Sequence, residues 1–200
     1  VSSFLLYKET IHSIFEDPAC LTWVRGENIR DVVQAFGGRP EQLAEGDFND
    51  LYESYELDDD EAIILITQSP GWLMVVEFTR YMGARRDMLR RLSAGGEALA
   101  LAWTIELDAT LAYAADGKLE NIFDPVRQGT TAAEPEYLDW AQTYGVTAEQ
   151  WGDDWLAVSF TLAEQITGLP VDQAWKSEPT WCSTSSGRTT RSRPREPRWR

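Results

Sequence analysis

A glutamate stands inside an apolar run of this chain, Leu73-Met-Val-Val-Glu77-Phe78. Burying a carboxylate is costly unless a partner meets it. Glu77 is therefore read either as half of a buried ion pair or as a site carboxylate whose proton affinity burial has raised. Arg25, which ends the short strand pattern Cys20-Leu-Thr-Trp-Val-Arg25, is the expected partner. The pair would bridge two strands.

Other reactive side chains are sparse. His12 could serve as a base toward Ser13 or Cys20, but neither a glycine-flanked nucleophile elbow nor an ordered triad surrounds them. A capping or exposed histidine is the expectation. No P-loop and no Gly-x-Gly-x-x-Gly pattern is present, and Gly95-Gly96 reads as a helix stop. With one histidine and two distant cysteines, the chain cannot supply the usual four nitrogen or sulfur ligands of structural zinc. Catalytic, cofactor-binding and metal-binding residues are all unassigned.

Acids are abundant instead. Eight of them and no base lie between Gly46 and Glu61, densest at Asp58, Asp59, Asp60 and Glu61. A calcium loop needs a glycine at its sixth position, and none is there. The run reads as a solvated loop ahead of the first sheet strand, or as a surface for a cation or a basic partner. Arg85, Arg86, Arg90 and Arg91 crowd one short helical segment. They could hold an acidic ligand, or pair within the molecule through the acidic loop or between Asp87 and Arg91.

The charge distribution sharpens this. The chain carries a net −15, while the segment from Lys176 onward has seven bases and two acids, a local +5, so the part up to Trp175 holds −15 − 5 = −20. Such a surface repels nucleic acid and anionic membrane and attracts a basic partner. No apolar run is long enough to span a bilayer. The N-terminal apolar segment is too short, and lacks the cleavage site, for a signal peptide. Only Cys20 and Cys182 are present, which suits a reducing compartment, and the expected location is the cytoplasm.

The elements that must carry these residues follow from periodicity. The segment 62–83 reads as a hairpin, two β-branched and aromatic runs around Ser69-Pro70-Gly71. Glu97 to Leu107 alternates as a strand with Leu99, Leu101, Trp103, Ile105 and Leu107 on one face. Leu111–Ala115 and Lys118–Phe123 follow, joined by Asp116-Gly117, a type I′ turn signal. These make five strands in a mainly antiparallel, twisted α+β sheet, packed against N- and C-terminal helices. Cys20–Arg25 is a separate short strand, with Leu21, Trp23 and Arg25 on one face. Short helical segments are expected over Phe4–Phe15, with Leu5, Ile11, Ile14 and Phe15 at helical spacing, over Ile29–Phe36, and from Pro40 through Ala44. Another is expected from Ala84 to Ser93, with Met88, Leu89 and Leu92 inward. Pro135 opens a further helix. Thr147-Ala-Glu-Gln150 is a capping box for a long helix whose stripe Ala148, Trp151, Trp155, Val158, Leu162 and Ile166 lies across the sheet. Residues 1–175 form the single domain. Residues 176–200, rich in Ser, Thr, Pro and Arg, are expected to be a disordered basic tail capable of weak nucleic-acid contact, or a non-homologous end from a shifted reading frame.

In order along the chain, Val24-Arg25-Gly26 before a helix ending Phe36-Gly37-Gly38, then Gly71-Trp72 leading to Val75-Val76-Glu77, then Asp116-Gly117 with Ile122-Phe123-Asp124-Pro125, resemble an actinobacterial family of small cytoplasmic proteins sharing a domain of unknown function. The resemblance covers about residues 20–170. It implies a small α+β domain of a high-GC bacterium and carries over no catalytic residue.

Two functions are open. One is a non-catalytic acidic interaction module, of the immunity or inhibitor kind, that binds a basic protein. The alternative is a small-molecule-binding protein or enzyme with a pocket between the sheet and the Trp151/Trp155 helix.

Overall fold

A computed structural model describes residues 2–15, 17–26, 28–54 and 61–186. Its centre is one antiparallel sheet of eight strands: β1 (Cys20–Arg25), β2 (Ala44–Gly46), β3 (Glu61–Ser69), β4 (Trp72–Glu77), β5 (Glu97–Trp103), β6 (Ala109–Ala115), β7 (Lys118–Phe123) and β8 (Thr180–Ser186). The spatial order is β2-β8-β3-β4-β1-β5-β6-β7. The helices are α1 (Ser3–Ile14), α2 (Ile29–Ala35), α3 (Phe48–Ser54), α4 (Arg86–Leu92), α5 (Pro125–Gln128), α6 (Pro135–Gln142), α7 (Ala148–Asp153) and α8 (Trp155–Thr167).

The mixed class and the antiparallel sheet agree with the sequence expectation; the count of five strands does not. The expected consecutive run is interrupted, because β1 lies between β4 and β5 and pairs with both. Each side of β1 alternates as predicted: Leu21 and Trp23 enter one core and Val24 the other. Ala44, expected in a helical turn, instead opens β2, and only Pro40–Gln42 is helical.

β8 corrects the tail. Thr180–Ser186 pairs with β3 over seven residues and with β2 over three, and Thr180, Cys182 and Ser183 are buried. A Ser/Thr-rich segment has the composition of a linker. Here it finds two strand edges to satisfy its backbone, and edge closure outweighs its low hydrophobicity. Residues 187–200 lie outside the described residues.

Two further boundaries move. The strand from Glu97 ends at Trp103, because the Thr104 amide turns onto the Asp108 carbonyl at 3.0 Å. Ile105 and Leu107 thereby leave the core face and stand in solvent. The long C-terminal helix is two helices. Asp154 breaks it by capping α8, its side chain accepting the amides of Leu156 and Ala157 at 3.1 and 3.0 Å. The capping box of Thr147 and Gln150 at the start of α7 is formed.

Helices cover both faces of the sheet. On one face α8, buried nearly all round, and α1 lie over Leu21, Trp23, Leu99, Leu101 and Trp103. Phe160 of α8 stacks on Phe15 at 5.5 Å and meets Trp23 edge-on at 6.1 Å. α1 buries Phe4, Tyr7, Ile11 and Ile14, whereas Leu5, expected inward, is exposed. On the other face α2 and α4 cover Val24, Ile64, Ile66, Leu73 and Val75 and the alanine rows of β5 and β6. Alanine there lets α4 sit close to the sheet, with Met88 and Leu89 buried. Each fully buried large apolar side chain contributes roughly 1.5–3 kcal/mol. No helix among the described residues is long and apolar enough to cross a membrane.

Candidate functional site

Glu77 is the last residue of β4 and lies opposite Cys20 of β1, which lies opposite Ala102 of β5. Its side chain is 1% exposed. The expected ion pair with Arg25 does not form. Arg25 stands opposite Trp72 at the other end of the same ladder, roughly 17 Å away at the rise of an extended chain. It also lies on the opposite face of the sheet, with its guanidinium over the Trp72 ring and Nη1 donating to Glu97 Oε2 at 2.7 Å. Glu97 takes a second bond, from the Tyr113 hydroxyl at 2.6 Å, and burial first, with this bond second, pushes the Tyr113 phenol well up.

The partners of Glu77 are backbone groups. Oε1 accepts the Met82 amide at 2.9 Å and Oε2 the Gly83 amide at 2.8 Å. Burial raises the affinity of Glu77 for a proton above that of an ordinary carboxylate; the two amides, the Cys20 thiol and the positive charge of Arg85 offset part of that rise. Cys20 is fully buried, with its thiol 3.9 Å from the Thr22 hydroxyl. Burial first, and the neighbouring Glu77 charge second, hold that thiol protonated. A protonated, enclosed thiol is a poor nucleophile.

The segment pinned by Glu77 is strained. Arg80 and Tyr81 both adopt left-handed backbone angles, φ 66° and 47°, a conformation costing about 1–3 kcal/mol for each such residue. Gly83 passes so close to β1 that a Cβ there would collide with the Thr22 hydroxyl. Beyond this segment lies a cleft of about 470 Å³ lined by Tyr81, Arg85, Trp103, Thr104, Asp108 and Asp124, among others. Its opposite border is the 104–108 turn, locked by Leu107 N–H to the Thr104 carbonyl at 3.1 Å and Glu106 N–H to the Thr104 hydroxyl at 3.3 Å. Leu107 is again left-handed, φ 62°. Four non-glycine residues among those described have positive φ; Asp116 belongs to the expected hairpin turn, and the other three lie on the two segments bordering this cleft.

That turn carries the most exposed large apolar side chain among the described residues, Ile105 at 83%, together with Leu107 at 60%. Glu106 lies between them and Asp108 follows.

The other expected positions are elsewhere. Asp58, Asp59 and Asp60 lie outside the described residues, and Glu61 begins β3. Trp151 is buried edge-on against Phe123 at 6.0 Å, its Nε1 without a hydrogen-bond partner among the described residues. Trp155, at the start of α8, is half-buried against the same core. Aromatic rings fill the space between α8 and the sheet. A groove of about 470 Å³ opens on the other face, between α2 and α4, over Val24, Val32, Leu73 and Leu92. Arg91 at its rim donates to the Ala35 carbonyl at 3.1 Å. His12 Nε2 meets Asp154 Oδ2 at 2.9 Å, and Ser13 bonds the Thr10 carbonyl, so the two do not form a catalytic pair.

Tyr81 and Gly83 were not singled out by sequence reasoning; Arg85 was read only as one of four arginines on a helical segment, and Ile105 and Leu107 only as core-facing strand positions. A glycine shortly after the buried glutamate was the one local hint. The exposure of Ile105 and Leu107 contradicts their strand-like alternation.

Among the described residues, no cluster of three or more His, Cys, Asp or Glu side chains could hold a metal ion. One family model, described only as a family of unknown function, matches residues 6–181. No curated protein and no solved structure matches the chain.

Proposed function

The chain belongs to that family, DUF6461, and because the family brings no activity with it, we propose from the chain's own chemistry that it is a non-catalytic acidic interaction module of the immunity or inhibitor kind, binding a basic protein. The observation that carries this reading is the 104–108 turn. Two bare aliphatic side chains, Ile105 and Leu107, alternate with Glu106 and Asp108 on a hydrogen-bonded, preorganised turn. Apolar anchors ringed by charge are what a specific interface uses, the aliphatic groups for affinity and the carboxylates for orientation and encounter rate. The −20 carried up to Trp175 sets the sign of the partner. The chemistry around Glu77 supports the non-catalytic half of the reading, because the carboxylate is engaged by two amides and the thiol beside it stays protonated.

Affinity capture with the wild-type chain and with the double variant Ile105→Ser/Leu107→Ser tests it, with circular dichroism checking that the exposed substitutions leave the fold intact. The expected outcome is a basic protein retained at low salt by the wild type, released as salt is raised, and lost from the double variant. Partners that the double variant holds equally well, or that are indifferent to salt, would rule the reading out.

A further inference from the structure

We infer that the Glu77 carboxylate is a latch: by holding the amides of Met82 and Gly83 it clamps the 79–85 segment down as one wall of the cleft, and loss of one of its two acceptor oxygens releases that segment while the sheet stays folded. Three independent features of the geometry meet at this point. Both carboxylate oxygens are committed to the segment's backbone, at 2.9 and 2.8 Å. The segment is held in a conformation it would not choose, with Arg80 and Tyr81 left-handed in succession, so releasing it relieves strain. The same segment supplies Tyr81, Ala84 and Arg85 to the cleft, so its position sets the shape of that cavity.

The groups facing the carboxylate decide how the latch responds. Cys20 on β1 donates its thiol, Thr22 on β1 contributes a neutral hydroxyl beside that thiol, and Arg85 and Tyr81 face it from the segment itself. Burial opposes the ionised form and Arg85 favours it. A glutamine at this position has a donor in place of one oxygen, so it can no longer accept from both amides. The hydrogen bonds of Tyr81 N–H to Thr79 and of Arg85 N–H to Met82 are internal to the segment and would move with it.

The chain holds its own reporter. Cys20 lies fully buried under this segment, where the Ala84 amide reaches its thiol. Cys182, equally buried, lies on β8, separated from β1 by β3 and β4. Opening the latch exposes Cys20 alone; global unfolding exposes both.

The experiment is native-state thiol labelling with 4,4′-dithiodipyridine, which reacts in mild acid, reading the two cysteines separately by mass spectrometry. At neutral pH the Cys20-to-Cys182 labelling ratio of Glu77→Gln should stand about tenfold above that of the wild type, as expected for the loss of one charge-assisted hydrogen bond. Because burial raises the proton affinity of Glu77 in the closed state, acid does not favour opening, and the wild-type ratio should not rise between about pH 7 and about pH 5. The inference is overturned if the ratio is the same in both proteins, or if the two cysteines label together in Glu77→Gln, since Glu77 would then hold the whole fold. Should the variant fold poorly, native-state hydrogen exchange of the wild type decides: Met82 and Gly83 amides that exchange well ahead of the β1 and β4 amides support the latch, and amides that exchange only together with those of the sheet overturn it. The measurement uses the chain alone, so its outcome is separate from whether a basic partner exists.

Discussion

Glu77 Oε2 accepts the backbone N–H of Gly83 at 2.8 Å, and that contact brings Gly83 against the Thr22 side chain of the neighbouring strand. Strand, loop and carboxylate close on one another with no room for a methyl group. Gly83→Ala is therefore expected to destabilise the fold by about 1–3 kcal/mol, the usual cost of overpacking a filled site. Urea unfolding measures it. Adding Thr22→Ala should recover part of the loss; no recovery would place the clash elsewhere.

The pH dependence of stability should carry the mark of Glu77. Its proton affinity in the folded chain is raised, with burial the largest cause. The folded state therefore takes up a proton before the unfolded state does as pH falls. Wild type should gain stability relative to Glu77→Gln on acidification through the folded-state pKa, level off below the ordinary glutamate value, and lose the gain as pH rises again. Unfolding free energies of both proteins from pH 7 to pH 4 test the sign. A wild type that loses stability relative to the variant over that window would contradict it.

Arg25 and Glu77 should behave as strangers. They sit at opposite ends of one ladder and on opposite faces of the sheet. A double-mutant cycle of Arg25→Ala with Glu77→Gln is expected to give a coupling within about 0.5 kcal/mol of zero. The cycle with Glu97→Gln should give up to about 1 kcal/mol, modest because the Arg25 side chain is more than half exposed.

Ending the chain at Trp175 should abolish cooperative unfolding. The truncation removes β8, leaves β3 without its outer partner and strips β2 of its strand neighbour. A truncated chain with an unchanged melting transition would mean that β8 is dispensable.

Asp154 gives the helical layer a local test. Asp154→Ala removes both hydrogen bonds at the start of α8 and the His12 contact, and is expected to cost about 1–2 kcal/mol. Asp154→Asn keeps a capping oxygen and should cost clearly less. Thermal denaturation separates the two.

The features legible in advance were those written in short-range patterns. The hairpin expected over 62–83, which forms with its second strand ending at Glu77, the Asp116-Gly117 turn with both residues at positive φ, α4 with Met88 and Leu89 inward, and the Thr147/Gln150 capping box all rest on residues within a few positions of one another. The two-faced strand Cys20–Arg25 belongs with them, although its place between β4 and β5 did not. The family resemblance read from ordered motifs also agrees with a domain of unknown function spanning residues 6–181.

The sequence by itself determined that Glu77 would be buried and would need a partner, because an apolar run of that composition must enter a core. Only the tertiary structure decided what the partner is. A carboxylate can be satisfied by any N–H, and backbone amides leave no trace in residue identity. The same reason hid β8, whose stability comes from two strand edges assembled from distant parts of the chain. It also hid Ile105 and Leu107, whose alternation fits a strand until the turn at Thr104 sends both into solvent. Local pattern reports which groups must leave water, and long-range pairing decides which groups they meet.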